Sequence, residues 1–232
     1  MYVQSGIIGC VVGATGTLIG GVIALLIGKK VTEPRPFLAI AGGMMIAVVF
    51  FDMLIESALL CGVFVMAGGA VIGGSVFAML SPLFLHEESK SMYTMGLLVL
   101  IGIAFHNLPE GLAIGSTLVE SRRLALSLSL LMLVHDIPEG IAVGLPLKLS
   151  GASVAKVLFL SFITGMPTAL GSLLGTAVGT ISREMIALCI SFAGGAMLYI
   201  SLKELIPSAG KEHKLFFSML GLCLGFILTT LV

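Results

Sequence analysis

HNLPEGLAIG at residues 106–115 and HDIPEGIAVG at 135–144 are two copies of one pattern, 29 residues apart. Both lie in apolar surroundings, and the offset equals one membrane-crossing helix of about 20 residues plus a short link. The copies therefore fall on consecutive antiparallel helices. Within each copy the histidine and the glutamate are four apart, which stacks them one turn above another on a single helix face. Asn107 and Asp136 each stand three before their glutamate and widen that polar face. Pro109 and Pro138 offer no N–H to the carbonyls of Phe105 and Val134, so backbone acceptors are freed beside the polar groups. Gly111 and Gly140 then allow close helix approach.

The rest of the chain supplies the setting. Of 232 residues, 58% are hydrophobic and 10% charged, and mean hydropathy is +1.17. Soluble domains carry about a quarter charged residues, so a soluble globular domain and a disordered chain are excluded. Lys plus Arg equals Asp plus Glu at 12 each, which leaves no basic excess for a nucleic-acid partner. Apolar stretches predict an all-α polytopic membrane protein of eight spans, roughly 5–28, 37–60, 62–85, 92–118, 124–147, 152–180, 184–206 and 214–231. Residues 1–232 read as a single transmembrane domain with short links; a seven-span chain is the competitor, because Leu60, Cys61 and Gly62 barely separate spans 2 and 3. The first stretch lacks a basic n-region and is followed by Lys29 and Lys30, as in a retained helix rather than a cleaved signal peptide. Cys10, Cys61, Cys189 and Cys223 stand singly and read as packing residues.

Basic residues orient the spans. The links after spans 1, 3, 5 and 7 gather Lys29, Lys30, Arg35, Lys90, Lys148, Lys156, Lys203, Lys211 and Lys214, against Arg122, Arg123 and Arg183 on the other side. Both termini are thus expected outside the cytoplasm. A second repeat relates AGGMMIAVVFFDMLIESA (41–58) to AGGAMLYISLKELIPSA (193–209), with Asp52 opposite Glu204. Spans 2 and 7 are five apart and antiparallel, as expected for a 3+2+3 inverted repeat, the arrangement secondary transporters use to alternate access.

Six acids fall inside spans: Asp52, Glu56, Glu110, Asp136, Glu139 and Glu204. Lys203, beside Glu204 near a helix end, is the one base approaching that depth and can snorkel away. An ionised carboxylate in low dielectric costs several kcal/mol unless paired or protonated, so bound cations or protons must compensate these acids. Two imidazoles, two or three carboxylates and an amide on facing helices make a two-metal centre feasible, with Glu110 and Glu139 each able to reach two ions. Imidazole with carboxylate suits Zn, Fe(II), Mn, Co or Cd; the lack of thiolate argues against Cu(I), and two histidines argue against an all-oxygen Mg or Ca site.

The paired HNLPEG and HDIPEG motifs resemble the ZIP (Zrt-/Irt-like) family of divalent metal transporters, in particular its compact bacterial zinc-uptake branch. GATGTLIGG (13–21), the AGGMM segment, TGMPTALGSLLG (164–175) and SFAGGAMLYISLKELIPSA (191–209) are also similar. The resemblance implies eight helices in a 3+2+3 inverted arrangement, extracytoplasmic termini and a binuclear transport site between spans 4 and 5. It implies a first metal position of His106, Glu110, His135 and Glu139, and a second of Asn107, Asp136 and the two bridging glutamates. Bacterial relatives often carry a Glu in span 6 where this chain has Thr168, a loss that weakens the second position. Asp52, Glu56, Thr168 and Glu204 are candidates for the pathway or gates, and His86, Glu87 and Glu88 in a short link for a cytoplasmic acceptor.

The expectation is a transporter, not an enzyme, that carries a divalent metal, zinc first, into the cytoplasm across a bacterial inner membrane. The metal is cargo and no cofactor is expected. The expected partners are metal ions and lipid, with a homodimer left open. An intramembrane metalloenzyme is the alternative of another class, but zinc proteases use H-E-x-x-H and di-iron bundles E-x-x-H, whereas the order here is H-x-x-x-E. An exporter is the third reading.

Overall fold

The computed structural model describes residues 2–30, 35–84, 91–178, 182–210 and 214–231, and these residues are helical almost throughout. Eight helical rods follow one another: α1 (Tyr2–Lys30), α2 (Pro36–Cys61), α3 (Val63–Phe84), α4 (Met92–Glu120), α5 (Arg122–Leu149), α6 (Val154–Val178), α7 (Arg183–Ser208) and α8 (Lys214–Leu231). Seven are long and apolar enough to cross a membrane; α8 is shorter, and its 18 residues still rise about 27 Å, close to the hydrocarbon thickness. The eight-helix reading therefore holds over the seven-span competitor.

Local signals account for the helix ends. Ser91 and Ser182 cap α4 and α7 by accepting from the backbone N–H of Thr94 and Met185, each at 3.2 Å. Pro36 opens α2, where its missing N–H costs nothing. Gly62 (φ +83°) and Gly210 (φ +92°) stop α2 and α7 in a left-handed backbone that other residues resist. Pro109 and Pro138 sit inside continuous helices and do not end them.

Packing follows a two-fold exchange of α1 with α6, α2 with α7, α3 with α8 and α4 with α5. Under it the contact of α1 with α5 maps onto that of α6 with α4, and the contact of α3 with α7 onto that of α8 with α2. Glycines mark the same symmetry. A Cβ on Gly140 would strike the Thr17 carbonyl and one on Gly111 the Thr168 carbonyl; one on Gly43 would strike that of Ser218 and one on Gly195 that of Ala70. Gly13 and Gly165 face each other's carbonyls. Such contacts bring backbones together without a hydrophobic driving force between helices.

The result is two bodies, α1 with α4, α5 and α6, and α2 with α3, α7 and α8. A core of Met45, Val49, Leu98, Ile103, Met197 and Ile200, all at most 1% exposed, joins them. Phe64, at 95% exposed, and Leu59, at 82%, face outward, as side chains in contact with lipid would. The four cysteines are free thiols.

Candidate metal centre

The repeated motifs place their polar faces against each other where α4 packs on α5. His106, Glu110, His135 and Glu139 are all 5% exposed or less, and Asn107 and Asp136 are fully buried. Nε2 of His106 lies 3.3 Å from Nε2 of His135. Oε1 of Glu110 is 3.0 Å from the first nitrogen and 3.8 Å from the second. Oε1 of Glu139 is 3.6 Å from each.

Those separations can be compared with what an ion would impose. Around a tetrahedral zinc with bonds of about 2.1 Å, ligand atoms stand about 3.4 Å apart. The donors of His106, His135 and Glu139 all lie within 4.8 Å of one another, and Glu110 closes on both imidazoles, so five separations fall at 3.0–3.8 Å. The four donors come from two helices, two from each.

A second group of acceptors adjoins the first. Asn107 donates its Nδ2 to the Thr164 carbonyl at 2.9 Å, and its Oδ1 has no hydrogen-bond partner among the described residues. The same is true of both oxygens of Asp136, Oε2 of Glu110 and Oε2 of Glu139. Leaving buried acceptors unpaired costs about 1–3 kcal/mol each and more for charged groups, so a cation here would be strongly held. Gly16 of α1 opens the space for Asp136: a Cβ there would fall 2.5 Å from the aspartate Cβ and 3.3 Å from Oδ2.

Thr168 on α6 is fully buried, with its Oγ1 unpartnered among the described residues, and it packs against Gly13 of α1. It offers a neutral hydroxyl where a carboxylate would have added charge. Asp52 is brought to the rim, with Oδ2 3.9 Å from Nδ1 of His135. Glu56 stands one turn further along α2 and is exposed. Glu204 accepts at Oε1 from Ser81 Oγ at 2.9 Å. His86, Glu87 and Glu88 lie outside the described residues.

Three features escape a reading of spacing alone. The carbonyl of Thr164 aims Asn107. Asp52 reaches a histidine on another helix. Both Asp52 and Glu204 sit in π turns, Val49–Met53 of α2 and Ser201–Leu205 of α7. Equal placement of an acid in the two AGG-x-M segments is the one sequence signal for the last.

Known proteins place the chain. The family model described as ZIP Zinc transporter matches residues 82–232. Zinc transporter GufA of Myxococcus xanthus is 36% identical over 70% of this chain and 67% of its own length. Zinc transporter ZupT of Chlorobium luteolum is 28% identical over 98% of this chain and 96% of its own. For ZupT of Clostridium perfringens the identity is 32%, over 60% of this chain and half of that protein. Eight helices among the described residues, seven of them long and apolar enough to cross a membrane, a buried His/Glu cluster on two facing ones and this family match lead to one conclusion: the chain is a multi-pass membrane protein that belongs to the ZIP zinc transporter family.

Proposed function

We propose that the chain carries divalent transition metal, zinc in the first place, into the cytoplasm through the His/Glu cluster between α4 and α5. The observation that supports it is the convergence of His106, His135 and Glu139 within 4.8 Å of one another, with Glu110 3.0 Å from His106, in a buried position. Two imidazoles and two carboxylates match zinc, and Fe(II), Mn, Co and Cd after it. A second ion would sit on Asn107, Asp136 and the remaining glutamate oxygens, held less firmly because Thr168 adds no charge.

Asp52 and Glu56 lie on α2 between the cluster and the end of the bundle that holds both termini; Glu204 lies on α7 towards the opposite end. A hydrated cation arriving at the termini side meets these two acids first and exchanges water for the donors of the cluster. It leaves past Glu204 when the α1/α4/α5/α6 body shifts against the other four helices. The excess of basic residues at the opposite end favours that end as cytoplasmic, with the termini extracytoplasmic; similarity to bacterial transporters supports the bacterial inner membrane as the setting. The outward apolar side chains meet lipid, and an exposed face can serve a homodimer.

Zinc uptake into sealed proteoliposomes tests the assignment. Glu110→Ala and Glu139→Ala should each abolish it, while Cys10→Ser should not; uptake retained by both glutamate variants would refute the assignment. Rescue of cells under metal starvation, as opposed to metal excess, decides import against export.

A further inference from the structure

Asp52 and Glu204 occupy equivalent places in the inverted repeat: an offset of 152 carries Asp52 to Glu204 and the π turn Val49–Met53 onto Ser201–Leu205. Single π turns inside α-helices recur at functional positions because the extra residue re-aims a side chain at the cost of a regular hydrogen bond. The histidines obey the same exchange, since α4 and α5 swap under it and His106 corresponds to His135.

The environments of the two rings nevertheless differ. Oδ2 of Asp52 faces Nδ1 of His135 at 3.9 Å, an approach within ion-pair range that closes to a hydrogen bond only with a small further movement. His106 has its Nδ1 buried and without a hydrogen-bond partner among the described residues, and Glu204 rests on Ser81. A histidine that ligates through Nε2 must carry its proton on Nδ1, and a carboxylate on that proton fixes the tautomer and raises the basicity of the ligating nitrogen. Both acids belong to the α2/α3/α7/α8 body, whereas both histidines belong to the other one, so neither pairing can survive a shift between the bodies unchanged.

We propose that Asp52 and Glu204 are alternating positioning residues: Asp52 supports Nδ1 of His135 in one access state, and Glu204 leaves Ser81 to support Nδ1 of His106 in the other. Each face of the membrane then meets a cluster with one reinforced histidine, donated by a different repeat. This rests on the reading of the cluster as the transport site. Repeats that exchange conformations are how such folds alternate access; here the exchange carries the outer partner of the metal ligands with it.

The test uses the full chain and cadmium as probe, presented to one face in intact cells and to the other in everted membrane vesicles. Asp52→Asn is expected to raise KM by about 10-fold at one face only, and Glu204→Gln by about 10-fold at the other only, the usual loss for such a partner. Maximal rates should change less than KM. Ser81→Ala, which removes the Ser81–Glu204 hydrogen bond without touching the cluster, should lower KM at the face that Glu204→Gln weakens, and it serves where a charge variant fails to fold. Nitrogen-15 spectra of the histidines, of which the chain has 4, should show Asp52→Asn shifting Nδ1 of His135 and leaving His106 in place. Equal effects of both variants on both faces, or no effect at either, would overturn the alternation. Glu139→Ala separates the two levels. If it abolishes uptake and the faces respond alike, only the alternation falls; if it leaves uptake intact, the transport site itself is misplaced.

Discussion

Nε2 of His106 and Nε2 of His135 stand 3.3 Å apart across the α4–α5 contact. At that separation only one of the two nitrogens can carry a hydrogen, and a cation between them needs both lone pairs. Protons and a metal bound here would therefore compete for the same atoms, because imidazole must be neutral and carboxylate ionised to bind. Zinc affinity of the purified protein should fall steadily between about pH 8 and about pH 6, by up to about tenfold per pH unit for each proton displaced. Competition titration against a chromophoric chelator measures it. A flat profile would mean that these nitrogens do not meet the ion.

Thr168→Asp tests the second position. Thr168 follows Thr164, the acceptor of Asn107, by one turn; its carbonyl abuts Gly111 of α4, and its side chain lies against Gly13 of α1. A carboxylate there should strengthen binding of a second zinc equivalent by about 10-fold. Titration calorimetry reads it as a new or sharpened second step. An isotherm identical to wild type would show that Thr168 does not face the metal.

Backbone proximity gives a stability test. Gly140 meets the carbonyl of Thr17, which cannot rotate away, whereas nothing lies within 4 Å of a Cβ on Gly68. Gly140→Val should lose about 1–3 kcal/mol or more by overpacking, and Gly68→Val should cost little. Thermal unfolding in detergent compares them, and equal melting temperatures would contradict the close seam between α1 and α5.

A hydroxyl chain binds α1 to α6 near the termini end. Ser5 Oγ donates to the Ser172 carbonyl at 2.6 Å and accepts from Thr176 Oγ1 at 2.6 Å. Ser5→Ala and Thr176→Val should each cost about 1 kcal/mol, and the double variant less than the sum, because the two share one bond. Zinc uptake should persist, since neither residue belongs to the cluster. Strict additivity would show that the hydroxyls act separately.

How much of the fold and the cluster is legible in the amino-acid sequence depends on the range of the interaction concerned. The pairing of His106 with Glu110 and of His135 with Glu139 is helical arithmetic, and facing helices follow from a 29-residue offset. The eight rods follow from apolar runs punctuated by Gly62 and Gly210. Asp52 beside His135 is different. It depends on how α2 leans on α5, and on a π turn at Val49–Met53 that no local preference announces. The same holds for Thr164, which serves through its carbonyl, a group every residue possesses. Glycines are visible in the sequence, but which carbonyl each admits is decided only by the packed pair.

The paired contacts, Gly140 with Thr17 and Gly111 with Thr168, Gly43 with Ser218 and Gly195 with Ala70, have a consequence for biogenesis. Helix contacts that match when the bundle is turned over do not themselves choose up or down. That choice falls to what the two repeats do not share: the termini and links, the lysines flanking the spans, aspartate in one repeat where glutamate stands in the other, and Asn107 opposite Asp136. Charge changes at the span ends would thus bias insertion while leaving the helix contacts as they are.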